Sequence, residues 1–195
     1  MKTSNLIIAA LGFALCLSCK KEETAEEKLK KFHSITVEVN RSYNVDEQIS
    51  EFDKQELKVL EKGDIREIVN FNLVDTIVPS LSELKYLGTI DNGEGIKLKV
   101  LTRYLVTGNQ YNIRGASSIE LYDSHNKLYG QYPVGGPEDL PDAIEDGNWV
   151  YLRDMQECEK RKNYIIKLDG TLPEQFFIPC TEDGGDIYSF VKEKD

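Results

Sequence analysis

The pair Asp123 and His125 is the part of the sequence whose residue types most directly indicate chemistry, since an aspartate near a histidine can form an acid–base pair. A catalytic histidine also needs a nucleophile and a pocket within reach. Residues 123–127 read Asp-Ser-His-Asn-Lys, a composition typical of a polar turn between strands. The sequence contains no nucleophile elbow, P-loop, zinc-protease or EF-hand motif. We therefore predict no catalytic residue and assign His125 to a turn.

Two acidic stretches, residues 135–148 and 181–186, are the other candidates for chemistry. Calcium takes six to eight oxygen ligands from loops of this kind. The same glycine, proline and aspartate residues also build ordinary turns. The sequence thus predicts no metal and no cofactor, and it leaves calcium at these two loops as an open alternative.

The amino terminus combines an apolar run with a cysteine at its end. Residues 6–17 carry no charge, and they are followed by Ser18 and Cys19. Twelve residues suit the apolar part of a secretory signal peptide. As a helix they would extend about 18 Å, which is too short to span a hydrocarbon core of about 30 Å.

This junction resembles the lipobox of bacterial lipoproteins, in which apolar positions and a small residue precede a cysteine. The resemblance implies a signal peptide over residues 1–18, cleavage between Ser18 and Cys19, and acyl chains such as palmitate on Cys19. It departs from the family at Cys16, where leucine is preferred, and it covers only about the first twenty residues. The alternatives are a plain secretory signal and an uncleaved anchor.

Residues 19–33 are predicted to form a charged, flexible tether. Residues 20–33 contain four Glu and five Lys, and their large apolar side chains are Leu29 and Phe32 alone. Such a segment buries too little apolar surface to fold by itself. Residues 20–23, Lys-Lys-Glu-Glu, resemble the surface-export signal of lipoproteins of the Bacteroidota type. The alternative is a solvated linker without an address.

The rest of the chain, residues 34–195, is predicted to be one acidic domain. The formal net charge of the whole chain is −10. Because residues 1–18 contain one Lys and no acid, 23 basic and 34 acidic residues remain after cleavage. This balance argues against a nucleic-acid partner, whose phosphates need a basic surface. It permits a basic protein partner.

Cys158 and Cys180 are predicted to form a disulfide. An even pair of cysteines in an exported domain indicates a bridge. Neither cysteine has a CxxC partner and no histidine lies between them, which makes a metal site less suitable. Two free thiols are the alternative.

Alternating apolar and polar residues predict a mostly β domain with little helix. Residues 34–40 alternate cleanly, and residues 88–106 read as a hairpin whose turn contains Asn92 and Gly93. Residues 44–62 fit either a helix with a stripe of Ile49, Phe52, Leu57 and Leu60, or a strand. The short strands predict antiparallel sheets arranged as a sandwich or an open barrel.

Together these features predict a lipid-anchored protein of the bacterial cell envelope. We expect it at the outer membrane, on the periplasmic face or the cell surface, held by lipid on Cys19. The favoured function is a non-enzymatic binding or structural module for a protein or envelope ligand. The alternative is an inhibitor-like or immunity-like protein that neutralises a basic partner, and a hydrolase is third.

Overall fold

The computed structural model describes residues 23–40, 44–74 and 80–194, which form two α-helices, one 3-10 turn and twelve strands. The helical elements are α1 (Ala25–Leu29), α2 (Val45–Lys62) and the 3-10 turn Pro137–Asp139. The first six strands are β1 (His33–Asn40), β2 (Glu67–Val74), β3 (Ser80–Asp91), β4 (Lys97–Asn109), β5 (Asn112–Tyr122) and β6 (Leu128–Val134). The others are β7 (Ala143–Glu145), β8 (Asn148–Tyr151), β9 (Tyr164–Ile166), β10 (Gln175–Pro179), β11 (Gly185–Ser189) and β12 (Val191–Lys192).

A seven-stranded sheet with the order β1-β2-β3-β4-β5-β6-β12 is the main layer of the fold. Strands β2 to β6 form an antiparallel meander, and β12 pairs antiparallel with β6. Strand β1 instead runs parallel to β2, from His33 opposite Glu67 to Asn40 opposite Val74. Parallel neighbours need a crossover connection, and α2 provides it. This crossover leaves β1 at one edge of the sheet.

Helix α2 occupies the region, residues 44–62, for which the sequence allowed either a helix or a strand. Its first turn is capped by the Asn44 side chain, which accepts a hydrogen bond from the Asp46 N–H, and it ends at Gly63 with φ of 59°. One face of the helix is buried at intervals of four residues: Gln48, Phe52, Glu56 and Leu60. Phe52 and Leu60 belong to the predicted stripe, whereas Leu57 is exposed.

The main sheet has a hydrophobic core on each face, because neighbouring residues of a strand point to opposite sides. Leu101 of β4 packs in the core beneath α2, and the preceding Val100 packs in the core on the other face. The α2 core is built mainly from Phe52, Leu60, Val69, Phe71, Leu84, Tyr86, Leu101 and Leu105. The opposite core contains Leu98, Val100, Ile119, Leu121, Tyr132, Trp149, Phe176 and Ile178.

Two small antiparallel sheets, β7-β8-β9 and β10-β11, supply the second core with its outer layer. The predicted mostly β fold is thus confirmed, and within the described residues no sheet closes into a barrel. The predicted hairpin is confirmed as β3 and β4, with Ile90 opposite Leu98. Gly93 has φ of 87° in its turn, a conformation that side chains with a Cβ rarely adopt.

Residues 23–32, which the sequence assigns to the tether, contain α1 and contact the domain at two points. Thr24 and Glu27 close a capping box at the start of α1. Lys28 Nζ lies 2.6 Å from Glu145 Oε1 in β7. Lys85 Nζ lies 4.1 Å from the centre of the Phe32 ring. Strand β1 begins directly afterwards at His33, one residue before the predicted start of the domain.

Candidate functional site

The predicted disulfide between Cys158 and Cys180 is confirmed. Its Cα atoms are 4.0 Å apart, and the bridge joins the segment after β8 to the residue after β10. It therefore fastens the β7-β8-β9 sheet to the β10-β11 hairpin, and both cover the same core. The predicted lipidation residues, Ser18 and Cys19, lie outside the described residues.

Asp123 and His125 form a turn in the structure. Asp123 Oδ1 accepts hydrogen bonds from the backbone N–H of His125 at 2.8 Å and of Lys127 at 2.9 Å. The bond from Lys127, together with that from His125, holds the pKa of Asp123 below its usual value of 3.8. The His125 side chain is 87% exposed, with Nδ1 3.9 Å from Asp123 Oδ2. The aspartate thus stabilises the β5-β6 turn, and the histidine ring extends into solvent.

The buried carboxylates of the first acidic stretch are paired with arginines. Asp142 Oδ1 accepts a hydrogen bond of 2.7 Å from Arg153 Nε, and Asp139 binds the guanidinium of the buried Arg161. In the described part of the chain, three or more His, Cys, Asp or Glu side chains do not come together as a metal site. Sequence reasoning missed these ion pairs because the arginines lie 11 and 22 residues further along the chain.

A second buried cluster, which we call the carboxylate cluster, lies between α2 and the main sheet and was not predicted. It consists of Glu56 from α2, Arg103 from β4, and Ser118, Glu120 and Tyr122 from β5. Arg103 Nη1 donates to Glu56 Oε2 at 2.8 Å and lies 3.8 Å from Glu120 Oε1. Ser118 Oγ donates to Glu120 Oε1 at 2.8 Å. Alternation along β5 puts its three members on one face of the sheet.

The Tyr122 hydroxyl bridges the two carboxyl groups of the carboxylate cluster. This hydroxyl lies 2.7 Å from Glu120 Oε2 and also within hydrogen-bond distance of Glu56 Oε1. A phenol has one proton, which the two carboxyl oxygens can accept together in a three-centre hydrogen bond. Burial, and then the charge of Glu120, raise the pKa of Glu56 from 4.5 to about 7. Tyr122 donates to Glu56, and the raised pKa makes the uncharged form of Glu56 more favourable than it is for a free side chain.

Every carboxyl oxygen of Glu56 and Glu120 has a partner inside this cluster. A general acid or base must instead reach a substrate atom. The arrangement suits a structural role, in which polar groups fix the position of α2 on the sheet. The only sequence signal for Glu56 is its position four residues after Phe52, on the same helix face.

The outer edge of β1 presents backbone groups that no described strand pairs with. The N–H of His33 donates to Arg66 O at 2.5 Å, so the main-chain groups of His33 point toward β2. Direction alternates along a strand, and Ile35 and Val37 therefore also point toward β2. The N–H and C=O groups of Ser34, Thr36 and Glu38 point away from the sheet. Among the described residues β1 is an edge strand, because β2 is its one neighbour in the sheet.

An apolar groove of about 190 Å³ runs beside this edge, between β1 and α2. Its floor and wall are formed by Ile35, Val37, Val69 and Val59, and its rim includes Lys58 and Lys62. Ile35 is 42% exposed, although it is apolar. Helix α2 packs against β3 and β4, which leaves the apolar row of β1 only partly covered.

The other face of β1 is polar and carries negative charge. Glu38 lies opposite Asn72 in β2, and Asn70 in β2 lies opposite Glu83 in β3. Partners in register point to the same face, and residues two apart along a strand share that face. Glu38 and Glu83 are therefore on the face turned away from α2, but only Glu38 is on the edge strand; Glu83 lies two strands inward, next to Lys85.

Within the described ranges, no helix is both long enough and apolar enough to cross a membrane. Comparisons with protein families, with curated proteins and with solved structures found no match for this chain.

Proposed function

We propose that this protein is a lipid-anchored envelope protein that acts by binding a partner, with Cys19 as its membrane anchor. The observation that carries the binding role is the outer edge of β1 together with its apolar groove. In the described domain this edge combines unpaired backbone groups with exposed apolar side chains. The free energy falls when a partner strand pairs with the backbone groups and when apolar side chains are removed from water.

The anchoring role rests on the sequence of the amino terminus. An apolar run of lipoprotein length ends at Ser18 and Cys19, and an acidic, mostly β domain follows. A single acyl chain gives only marginal membrane binding, whereas several chains on one cysteine hold a protein firmly. The outer membrane, on its periplasmic face or at the cell surface, is the proposed location.

The carboxylate cluster supports binding over hydrolysis. Two neighbouring buried carboxyl groups, of which Glu56 has a raised pKa, resemble an acid–base pair, but here all four oxygens bond to Arg103, Ser118 and Tyr122. The inhibitor-like or immunity-like alternative is favoured by Glu38 on the open edge strand and by the net charge of −10. It is a special case of the binding role, with a basic protein as the partner.

The test of the anchor compares Cys19→Ala with Cys16→Ala in the full chain, expressed in a bacterium that processes lipoproteins. We expect Cys16→Ala to remain in the detergent phase at mature size, and Cys19→Ala to be soluble or to retain its signal peptide. Mass spectrometry of the amino-terminal peptide should find acyl chains in Cys16→Ala alone. Mature, detergent-partitioning Cys19→Ala would contradict the proposal.

The test of the binding role is a panel of ester, peptide and glycoside substrates, offered to the purified full chain. We expect no turnover above that of a heat-denatured sample. An activity that disappears in Glu56→Gln, while Glu61→Gln on the exposed face of α2 retains it, would instead establish an enzyme.

A further inference from the structure

We propose that β1 binds an extended segment of a basic protein as an additional strand of the main sheet. The segment would place apolar side chains in the groove beside α2 and Lys or Arg side chains on the opposite face. This inference deepens the proposed binding function and rests on it, since it names the chemistry of the partner.

The backbone of β1 is suited to strand addition. Ser34, Thr36 and Glu38 direct their N–H and C=O groups outward, and a peptide strand can pair with all of them. Proteins commonly protect an open edge with lysine, proline, a bulge or a short strand. Strand β1 has eight residues in continuous register with β2, and it contains neither proline nor lysine.

The groove favours an apolar side chain at every second residue of the partner. An added strand would direct alternate side chains toward the face that carries Ile35 and Val37. The groove volume is about 190 Å³, and an apolar cavity of about 150 Å³ is known to hold a benzene molecule. A leucine, valine or phenylalanine side chain therefore has room there. The lining also contains Asp64 and Glu67 beside Lys58 and Lys62, and Lys62 is paired with Glu67, so the groove selects for an apolar side chain and not for a charge.

The remaining residues of the partner would lie on the face that carries Glu38, away from α2. Asn72 beside Glu38 carries no charge, and Glu83 lies two strands further into the sheet, next to Lys85. A lysine or arginine of the added strand would come close to Glu38, and complementary charge across an interface favours association. The net charge of −10 adds long-range attraction for a basic partner.

A second copy of this chain is the competing occupant, and charge argues against it. Two copies would bring together two Glu38 side chains near the same edge and two bodies of net charge −10. A basic extended segment would pair with the backbone of β1, place apolar side chains in the groove and bring positive charge near Glu38.

The experiment measures binding of a blocked peptide, Lys-Val-Lys-Leu-Lys-Val-Lys, to the full chain in detergent by fluorescence anisotropy. The matched variants are Thr36→Pro, which removes an outward N–H, and Thr36→Ala, which keeps it. Proline is tolerated on an edge strand where the N–H faces solvent. We expect Thr36→Pro to weaken binding at least tenfold and Thr36→Ala to change it less than twofold. Glu38→Lys should also weaken binding, and a peptide with Glu in place of Lys should not bind.

A second measurement does not depend on the folding of Thr36→Pro. N-methylation of one alternate set of peptide residues should abolish binding, and methylation of the other set should leave it unchanged, because only one set faces β1. The proposal is overturned if the lysine peptide does not bind, or if both methylated peptides bind equally. A dimer in light scattering that Thr36→Pro converts to a monomer would assign the edge to a second copy instead. None of these outcomes depends on acylation, which the Cys19→Ala comparison tests separately.

Discussion

The side chain of Gln48 pairs with the backbone of Gly108 through two hydrogen bonds. Gln48 Nε2 donates to Gly108 O at 3.1 Å, and Gly108 N–H donates to Gln48 Oε1 at 2.9 Å. Gln48 is on the buried face of α2, and Gly108 is near the end of β4 with φ of 114°. A helix side chain thus satisfies strand backbone groups in a region without access to water.

We predict that Gln48→Ala lowers the free energy of unfolding by about 1–3 kcal/mol, because it leaves the N–H and C=O of Gly108 unpaired and buried. Gln48→Glu should also destabilise the protein at neutral pH, since a carboxylate cannot donate to the Gly108 carbonyl. Urea denaturation measures both effects. Ser50→Ala, at an exposed position of the same helix, is the control. Equal stability of Gln48→Ala and the wild type would contradict this role.

We predict that Glu56→Gln stabilises the protein at pH 8 and leaves its stability near that of the wild type at pH 5. The pKa of Glu56 is about 7 in the folded state against 4.5 as a free side chain. Folding therefore favours the protonated form, and the contribution to stability is complete below pH 4.5 and lost as the pH rises through 7. A glutamine mimics the protonated acid at every pH.

The measurement is chemical denaturation of Glu56→Gln and wild type at pH 5, 6, 7 and 8, with Glu61→Gln as the exposed control. The difference between Glu56→Gln and wild type should grow with pH to roughly 1–3 kcal/mol. A difference that does not change with pH would show that folding does not raise the pKa of Glu56.

We predict that replacing both Cys158 and Cys180 by serine lowers the free energy of unfolding by about 3 kcal/mol. The bridge spans 22 residues, and it limits the conformations of the unfolded chain. Reductant should destabilise the wild type and not the double variant. Non-reducing mass spectrometry of a digest identifies the linked peptides directly, and two free thiols in protein isolated from cells without reductant would refute the bridge.

We predict that Phe32→Ala destabilises the domain by about 1–2 kcal/mol, through loss of its contact with the buried Lys85. Lys30→Ala, which alters an exposed side chain two residues earlier, should change stability by less than about 0.5 kcal/mol. Denaturation of the full chain compares the two. If Phe32→Ala has no effect, the residues before position 34 do not contribute to the stability of the domain, as the sequence alone predicted.

We predict that His125→Ala leaves stability unchanged within about 0.5 kcal/mol, whereas Asp123→Ala lowers it by about 1 kcal/mol. The His125 side chain is exposed, but Asp123 accepts two backbone hydrogen bonds that close the β5-β6 turn. Thermal unfolding distinguishes the two variants. A larger loss from His125→Ala than from Asp123→Ala would contradict the assignment of His125 to a turn.

The sequence by itself determined the features that depend on neighbouring residues. Alternation predicted β1, and Asn92 with Gly93 predicted the β3-β4 hairpin, because side-chain direction and turn geometry are local properties. The cysteine count was enough to predict the bridge between Cys158 and Cys180.

Only the tertiary structure decided which residues meet across long separations. Glu56 resembles a solvated helix residue in the sequence. It is buried in the structure, where it binds Arg103 and Tyr122, which lie on strands 47 and 66 residues further along the chain. The position of β1 at an open edge likewise depends on the parallel crossover through α2, which alternation does not encode. The alternating apolar residues of β1 predict a half-buried strand whether the strand lies at the edge or in the middle of the sheet. The groove exists because α2 packs over β3 and β4, where its apolar face joins the core around Leu84 and Leu101, and covers β1 only in part.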